Sequence, residues 1–551
     1  MKPIYKKLST WLPLIIVVSM VCGIFLGTYI FGRKSLFSAN SSYDKLGVML
    51  DLIDKNYVDS ISTDSILEKS FPDILAQLDP HSTYIPAEDL EDVNIRTEGS
   101  FSGIGIRFNI LTDTVTVDEV ISGGPSAKVG IMPGDRIVTV NDTVIVGNEW
   151  TNNKLLKILR GPRFSEVTLG IKRDNANDLL EFTVIRDNVP VTSVDASYMI
   201  TPTIGYLKIN TFSEETYAEF LTSLVRLKTT GAQKFILDLR GNGGGLMQAA
   251  VLMANEFLQR DEVIVSTRGR EDAFRSSSSS NGLGAFQNEP LVVLIDESSA
   301  SASEILAGAV QDNDRGLIVG RRSFGKGLVQ NQMELSDNSA IRLTVARYYT
   351  PSGRCIQKNY TPGNLNSYNQ EIVERYMHGE GFSADSIKVD NKEVFYTLGG
   401  REVYGGGGII PDVFVANDTL GITDYYIKIY NAGLLQKFSF IYTDSNRKQL
   451  SEAKSTNDIL ALLPNDDALL NQFVGFAHRE AKIAPRWYYI NQSRSLILDL
   501  LKALIARDML GTSGYYEVIN RTDNTVLKAI EAIENGDAAK PITINNKSQI
   551  K

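Results

Sequence analysis

Between residues 204 and 350, short unbroken apolar runs alternate with stretches whose apolar positions recur every three or four residues. IGYLKI (204–209), KFILDL (234–239), LVVLID (291–296), LIVG (317–320) and IRLTVARYYT (341–350) read as strands, the unbroken runs being buried on both faces. Residues 213–227, 246–258 and 301–311 carry the helical period between them, and RGNGGG (240–245) is a tight glycine turn. Strand and helix in alternation predict an α/β layer built from βα units. From 99 to 191 the pattern changes to short β-runs separated by glycine turns, with one helical run at 151–161. Residues 43–95 read as helical, through Leu46, Met49, Leu50, Leu52 and Ile53 and again through Ile66, Leu67, Phe71, Ile74, Leu75 and Leu78. Pro80 in LDPHSTYI (78–85) interrupts them, and His81 there has the ordinary role of a turn or packing residue. Helical spacing returns over 420–535, notably at Leu496, Ile497, Leu500, Leu501 and Leu504. The serine run 276–280, followed by Asn281, Gly282 and Gly284, reads as a mobile loop.

At the N-terminus Lys2, Lys6 and Lys7 precede an uncharged stretch, 8–32, closed by Arg33 and Lys34. Its length suffices to cross a hydrocarbon core of ~30 Å. The lysines predict an N-in orientation and place residues 35–551 across the membrane. A cleaved signal peptide is the rival reading, disfavoured because no clear small-residue cleavage site precedes Phe31.

Charge and composition narrow the chemistry. With 56 Lys+Arg against 65 Asp+Glu, the net charge of −9 argues against nucleic acid as a partner. Two cysteines, Cys22 and Cys355, exclude a disulfide framework and a CxxC zinc or redox motif. Three scattered histidines, His81, His378 and His478, argue against a histidine-rich metal site, and no metal or cofactor is expected.

Two segments carry candidate chemistry. ESSASASEILAGAV (297–310) follows a buried strand and opens a helix, where an exposed nucleophile would have free N–H groups beside it. A serine at a helix start is ordinarily an N-cap, and the pattern alone does not select one among Ser298, Ser299, Ser301 and Ser303. In RSFGKGLVQ (322–330), Lys326 stands between two glycines that let the backbone approach another element, although a solvated loop lysine is the ordinary role. The spacing is not that of a phosphate-binding loop.

Taken together the motifs closely resemble a known family. GIGI (103–106) with GGPSAKVGIMPGDRIVTVND (123–142) is similar to a PDZ domain. SASASE, QDN (311–313) and FGKGLVQ resemble the catalytic signature of carboxy-terminal processing, or tail-specific, serine proteases. Ser301 and Lys326 are 25 residues apart and Lys326 and Gln330 four. LDPHSTYI, DLRGNGGG, STRGR, YYTPSGR and GGGGIIPD extend the resemblance over about residues 43–415, with Gly241 a small departure where many members have Asn. The resemblance implies a multidomain α+β protein. Its parts would be a membrane anchor or signal (1–34), a helical segment (35–98), a PDZ β-barrel-like domain (99–191), a crotonase- or Clp-like α/β protease core (192–418) and a C-terminal helical region (419–551).

It further implies Ser301 as nucleophile, Lys326 as general base, Gln330 orienting the lysine, and Asp312 as a supporting acid. The Ala302 N–H and a glycine N–H from Gly243 or Gly244 would form the oxyanion hole. Ile104, Gly105 and Ile106 would bind a substrate's terminal carboxylate, the two isoleucines shaping an apolar pocket by strand alternation. Arg160 would couple that docking to the protease core. The expected partners are proteins or peptides with apolar C-terminal tails, and the membrane through the N-terminal helix; a homo-oligomer or adaptor protein is left open. The expected place is the bacterial inner membrane, single-pass, with the catalytic part facing the periplasm or extracytoplasmic space. An inactive PDZ adaptor is the alternative, opposed by retention of Ser301, Lys326 and Gln330. A crotonase-like acyl-CoA enzyme would leave the PDZ-like segment unexplained.

Overall fold

The structure is a computed structural model that describes residues 16–23, 26, 42–110, 114–121, 123–147, 149–173, 178–389 and 393–539. Most of the proposed membrane stretch, 8–32, lies outside the described residues. Among the described residues no helix is long and apolar enough to cross a membrane. The chain divides at Leu75 into two compact units. In the first, helix Ser42–Asn56 is closed by a Lys55–Asp51 pair one turn apart, and Thr63–Ala76 begins a second helix.

Within the second unit the PDZ-like segment forms a twisted antiparallel sheet. Its strands run Ile106–Ile110, Val115–Val120, Arg136–Val140, Glu166–Lys172 and Leu180–Ile185, in that order across the sheet. Val115, Val117, Ile137, Leu169, Ile171 and Val184 turn inward, and helix Asn152–Leu159 covers them with Leu155 and Leu159. Thr151 caps that helix by accepting the Lys154 N–H. Strand Ile106–Ile110 is an edge strand, pairing with Val115–Val120 alone among the described residues.

The α/β part is a six-stranded sheet in the order Val194–Met199, Ile204–Ile209, Lys234–Asp238, Leu291–Ile295, Leu317–Gly320, Val413–Phe414. The first pair is antiparallel and the rest are parallel. The unbroken apolar runs are explained by two covered faces. Leu207, Ile209, Phe235, Leu237, Val293, Ile295 and Ile318 face helices Thr216–Thr230, Met247–Asn255 and Ala302–Asp312. Their strand neighbours Ile204, Tyr206, Ile236, Val292, Leu294, Leu317 and Val319 pack against Val526, Ala529, Ala532 and Ile533 of the late helix Asn524–Glu534. The C-terminal region is thus the second covering layer of this sheet. It also has a core of its own around Leu435, Phe473, Ile490, Ile497 and Leu501.

A second sheet sits beside the first. Ala340–Tyr349 pairs with Thr83–Ile85, Leu328–Glu334 and Val263–Gly269. The serine run is a correction: Ser276–Ser279 is a strand, antiparallel to Val263–Gly269, not a loop. Backbone pairing decides here, with Thr267 Oγ1 2.9 Å from Ser276 Oγ to pin the register.

Candidate active site

Strand Leu291–Ile295 ends at a sharp turn that starts helix Ala302–Asp312. Ser301 occupies the turn with φ +56° and ψ −113°, a strained conformation for a residue with a Cβ. Two of the neighbouring serines are used up structurally. Ser299 Oγ donates to the Leu239 carbonyl (2.9 Å), and Ser303 Oγ to the Asn242 carbonyl (2.9 Å), both in full burial. Ser301 makes no side-chain cap bond and is only half-buried.

The turn is held by a residue the sequence reading passed over. Glu304, fully buried, accepts the Ser301 N–H (2.8 Å) and the Lys326 N–H (2.9 Å) on one oxygen. Its other oxygen accepts Ser323 Oγ (2.6 Å) and the Gly325 N–H (2.7 Å). Burial pushes its carboxyl up to about 7 against the pull of these four donors. The Tyr348 hydroxyl, on the neighbouring sheet, donates to the Lys326 carbonyl (2.5 Å) and lies 3.1 Å from the Ser301 carbonyl. One carboxylate and one phenol therefore tie the serine turn to the lysine loop. The glycines around Lys326 allow that approach. A Cβ on Gly327 would lie 2.8 Å from the Gln357 nitrogen, and Gly325 has φ +91°.

Lys326 Nζ donates to Gln330 Oε1 at 2.9 Å. The Gln330 amide is oriented from behind, its Nε2 donating to the backbone carbonyl of His81. Burial, helped by the Arg342 guanidinium, lowers the Lys326 pKa, while Glu304 and Asp79 pull the other way. The LDPHSTYI segment serves here through its backbone. Asp79 accepts the His81 and Ser82 N–H groups (2.8 and 2.9 Å) and fixes the turn that presents that carbonyl. Burial, with Lys326 close by, pushes the His81 imidazole down to about 4, and its Nε2 lies 2.8 Å from the Tyr368 hydroxyl.

The N–H groups of Ala302 and Gly243 have no acceptor among the described residues. Gly244 differs: its N–H is committed to Asn242 Oδ1 at 2.8 Å, so Gly243 is the glycine left with a free donor. Gly244 serves by being small. A Cβ there would stand 2.8 Å from Ser301 Cβ and 2.9 Å from the Ala302 nitrogen. Asp312 does not join the site. It sits at the far end of helix Ala302–Asp312, ~15 Å along the axis. There it is buried against Arg354 (2.7 Å) and accepts Ser352 Oγ (2.7 Å).

In the PDZ part, Ile104 and Gly105 form the turn before the edge strand, and their N–H groups have no acceptor among the described residues. The expected pocket is corrected. Gly105 has φ +74°, so strand alternation does not run through 104–106, and Ile104 is core, 3% exposed, while Ile106 remains half-buried. Arg160 caps helix Asn152–Leu159, pairs with Asp92 and lies 4.9 Å over the Phe101 ring. Asp92 belongs to helix Ala87–Glu98, whose Asn94 Oδ1 accepts Gln332 Nε2 (2.8 Å), two residues from Gln330.

Comparison with known proteins gives three family matches: peptidase family S41 over residues 203–364, a PDZ domain over 102–185, and a family of unknown function over 425–511. The carboxy-terminal-processing protease of Bartonella bacilliformis is 36% identical over 354 residues, covering 62% of this chain and 80% of that protein. The carboxy-terminal processing protease CtpA of Bacillus subtilis is 32% identical over 333 residues, covering 60% and 70%. Among solved structures, the photosystem II D1 C-terminal processing protease aligns with 27% identity over 67% of this chain and 92% of that one, at a TM-score of 0.33. On sequence identity and shared length, the chain belongs to the carboxy-terminal processing proteases of peptidase family S41, serine endopeptidases that here carry a PDZ domain.

Proposed function

We propose that Ser301 and Lys326 form a catalytic dyad that hydrolyses proteins recognised by their C-terminal tails. The observation that carries this reading is the Lys326 Nζ–Gln330 Oε1 bond at 2.9 Å inside a buried loop strapped to the serine turn. An uncharged amide holds the amine without favouring its protonated form as a carboxylate would. Neutral Lys326 takes the proton from Ser301 Oγ as that oxygen attacks the scissile carbonyl. The Ala302 and Gly243 N–H groups stabilise the resulting oxyanion. Collapse breaks the C–N bond, the amine leaves with the proton returned by Lys326, and water then cleaves the acyl-enzyme by the same route. Asp312 takes no part.

The PDZ domain presents the Ile104 and Gly105 amides to the tail's carboxylate, and the open edge of Ile106–Ile110 pairs with the tail's backbone. Ile106 contributes the apolar wall for the last side chain. Arg160, through Asp92 and Asn94, links this docking to the strand that carries Gln330. The uncharged stretch 8–32 anchors the chain in the inner membrane, with the catalytic part on the extracytoplasmic side. A carboxyl-terminal reporter should then be active only outside the cytoplasm, and activity inside would remove that placement.

Ser301→Ala and Lys326→Ala should each abolish cleavage of a peptide with an apolar free-acid tail, while His81→Ala, which keeps the carbonyl that Gln330 uses, should still cleave it. The amidated peptide should be cut more slowly by the intact enzyme. Near wild-type turnover by Lys326→Ala sinks the dyad, and equal rates on acid and amide sink the carboxylate docking.

A further inference from the structure

The loop that carries the free Gly243 amide is tied down on every side. Gly241 N–H donates to Asp296 Oδ1 (2.9 Å), Asn242 N–H to the Leu239 carbonyl (3.1 Å), and the Asn242 side-chain amide to the Ile209 carbonyl (3.0 Å). The first residue of the loop, Arg240, folds back on Asp238, with Nε 3.0 Å from Oδ1 and Nη2 2.6 Å from Oδ2. Asp238 is buried and also meets the Tyr206 hydroxyl (2.7 Å) and Lys208 Nζ (3.4 Å). The Lys208 ammonium in turn donates to the Arg240 carbonyl. Two cations thus face one carboxylate beside the loop.

The balancing charge comes from the C-terminal layer. Both oxygens of Asp523 accept from Arg240 Nη1, at 3.0 and 2.8 Å, across 283 residues of sequence. Asp523 lies beyond the matched peptidase span and beyond the matched C-terminal span. Its other task is to cap helix Asn524–Glu534, Oδ1 accepting the Thr525 and Val526 N–H groups at 2.9 Å each. Without its charge, Arg240 would be left with Asp238, a carboxylate it shares with Lys208, while Asp195 lies on the Lys208 side of the set. Arg240 would then turn toward solvent, and the backbone of residue 240 is only three residues from Gly243.

We propose that Asp523 is a positioning residue for the peptidase reaction: by closing the Asp238–Lys208–Arg240 charge set it holds the Gly243 N–H where the oxyanion forms. This rests on the oxyanion role given to Gly243 above. The C-terminal helical region is then part of the catalytic apparatus, acting on the transition state and not on tail docking.

The test uses the full chain. Asp523→Asn keeps a side-chain oxygen for the helix cap and removes the charge. For a free-acid tail peptide, kcat should fall about 10- to 100-fold with KM unchanged. Affinity for a peptide boronate, which mimics the tetrahedral adduct, should fall by the same factor. Affinity for the uncleaved tail peptide in the Ser301→Ala background should not change. Asp523→Ser, which also caps without charge, should give the same split. Placed on Arg240→Gln, Asp523→Asn should add no further loss, since it acts through that arginine. A lowered melting temperature with wild-type kcat in either variant overturns the proposal, as do additive losses with Arg240→Gln. Ser301→Ala separates the two claims. Residual activity there sinks the dyad itself, whereas an inactive Ser301→Ala beside a fully active Asp523→Asn sinks only the role of Asp523.

Discussion

In the proposed dyad Lys326 acts as a base only while neutral, so its surroundings would set the working pH. Burial and the Arg342 guanidinium both lower its pKa. Below that pKa the amine is protonated and idle, so kcat should rise with pH through it and then level off. Arg342→Gln removes one of the two causes, lets the pKa climb back toward that of an ordinary lysine, and should move the rising limb to higher pH with the plateau kept. A pH–rate profile of that variant is the check, and a limb that stays put or moves toward acid would exclude Arg342 from tuning the base. The sequence motif singled out Ser301, Lys326 and Gln330, and the structure brings Lys326 and Gln330 to 2.9 Å and sets Ser301 at the turn beside them. Glu304 was not legible there, because a glutamate at the third position of a helix reads as an ordinary capping residue. Its four donors are backbone and hydroxyl groups from two loops that only the fold brings together. The His81 carbonyl was invisible for a similar reason, since any residue at that position supplies the same atom.

At the scale of elements, the Ser301 turn and the glycine loop touch at Gly244, where no methyl group fits. Gly244→Ala would set a Cβ against the Ala302 nitrogen and Ser301 Cβ, at a φ of +97° that already strains any L side chain. The variant should fold, because the sheet and its helices are untouched, yet lose about 100- to 1,000-fold in kcat through displacement of the oxyanion donors. Circular dichroism beside steady-state kinetics would show this, and near-normal turnover would mean the two loops can part freely. The strands of the core were readable from their unbroken apolar runs, since burial on both faces leaves no polar alternation. What the runs did not reveal was the cover of the second face. Strand Ser276–Ser279 escaped for the opposite reason: four small polar side chains carry no periodic signal, and pairing with Val263–Gly269 depends on backbone groups that every residue has.

For the whole molecule, the late helix matters most. Ending the chain at Gly511 would bare Ile204, Tyr206, Ile236, Val292, Leu294, Leu317 and Val319 together. At ~1.5–3 kcal/mol for each buried side chain, the loss is about 10 kcal/mol or more, comparable with the whole stability of a typical domain. The truncated protein should therefore be insoluble or lack near-ultraviolet dichroism, and a soluble, cooperatively melting product would refute the layer's structural role. Synthesis runs from the other end. About 200 residues separate Lys326 from Asp523. At ~5–20 residues per second, the ribosome completes the dyad about 10–40 s before it delivers the helix that seals the sheet. Throughout that interval the nascent chain carries the proposed dyad while Ile204, Tyr206, Ile236, Val292, Leu294, Leu317 and Val319 still lack the cover of helix Asn524–Glu534, so the sheet that positions Ser301 closes only after the last part of the chain has emerged.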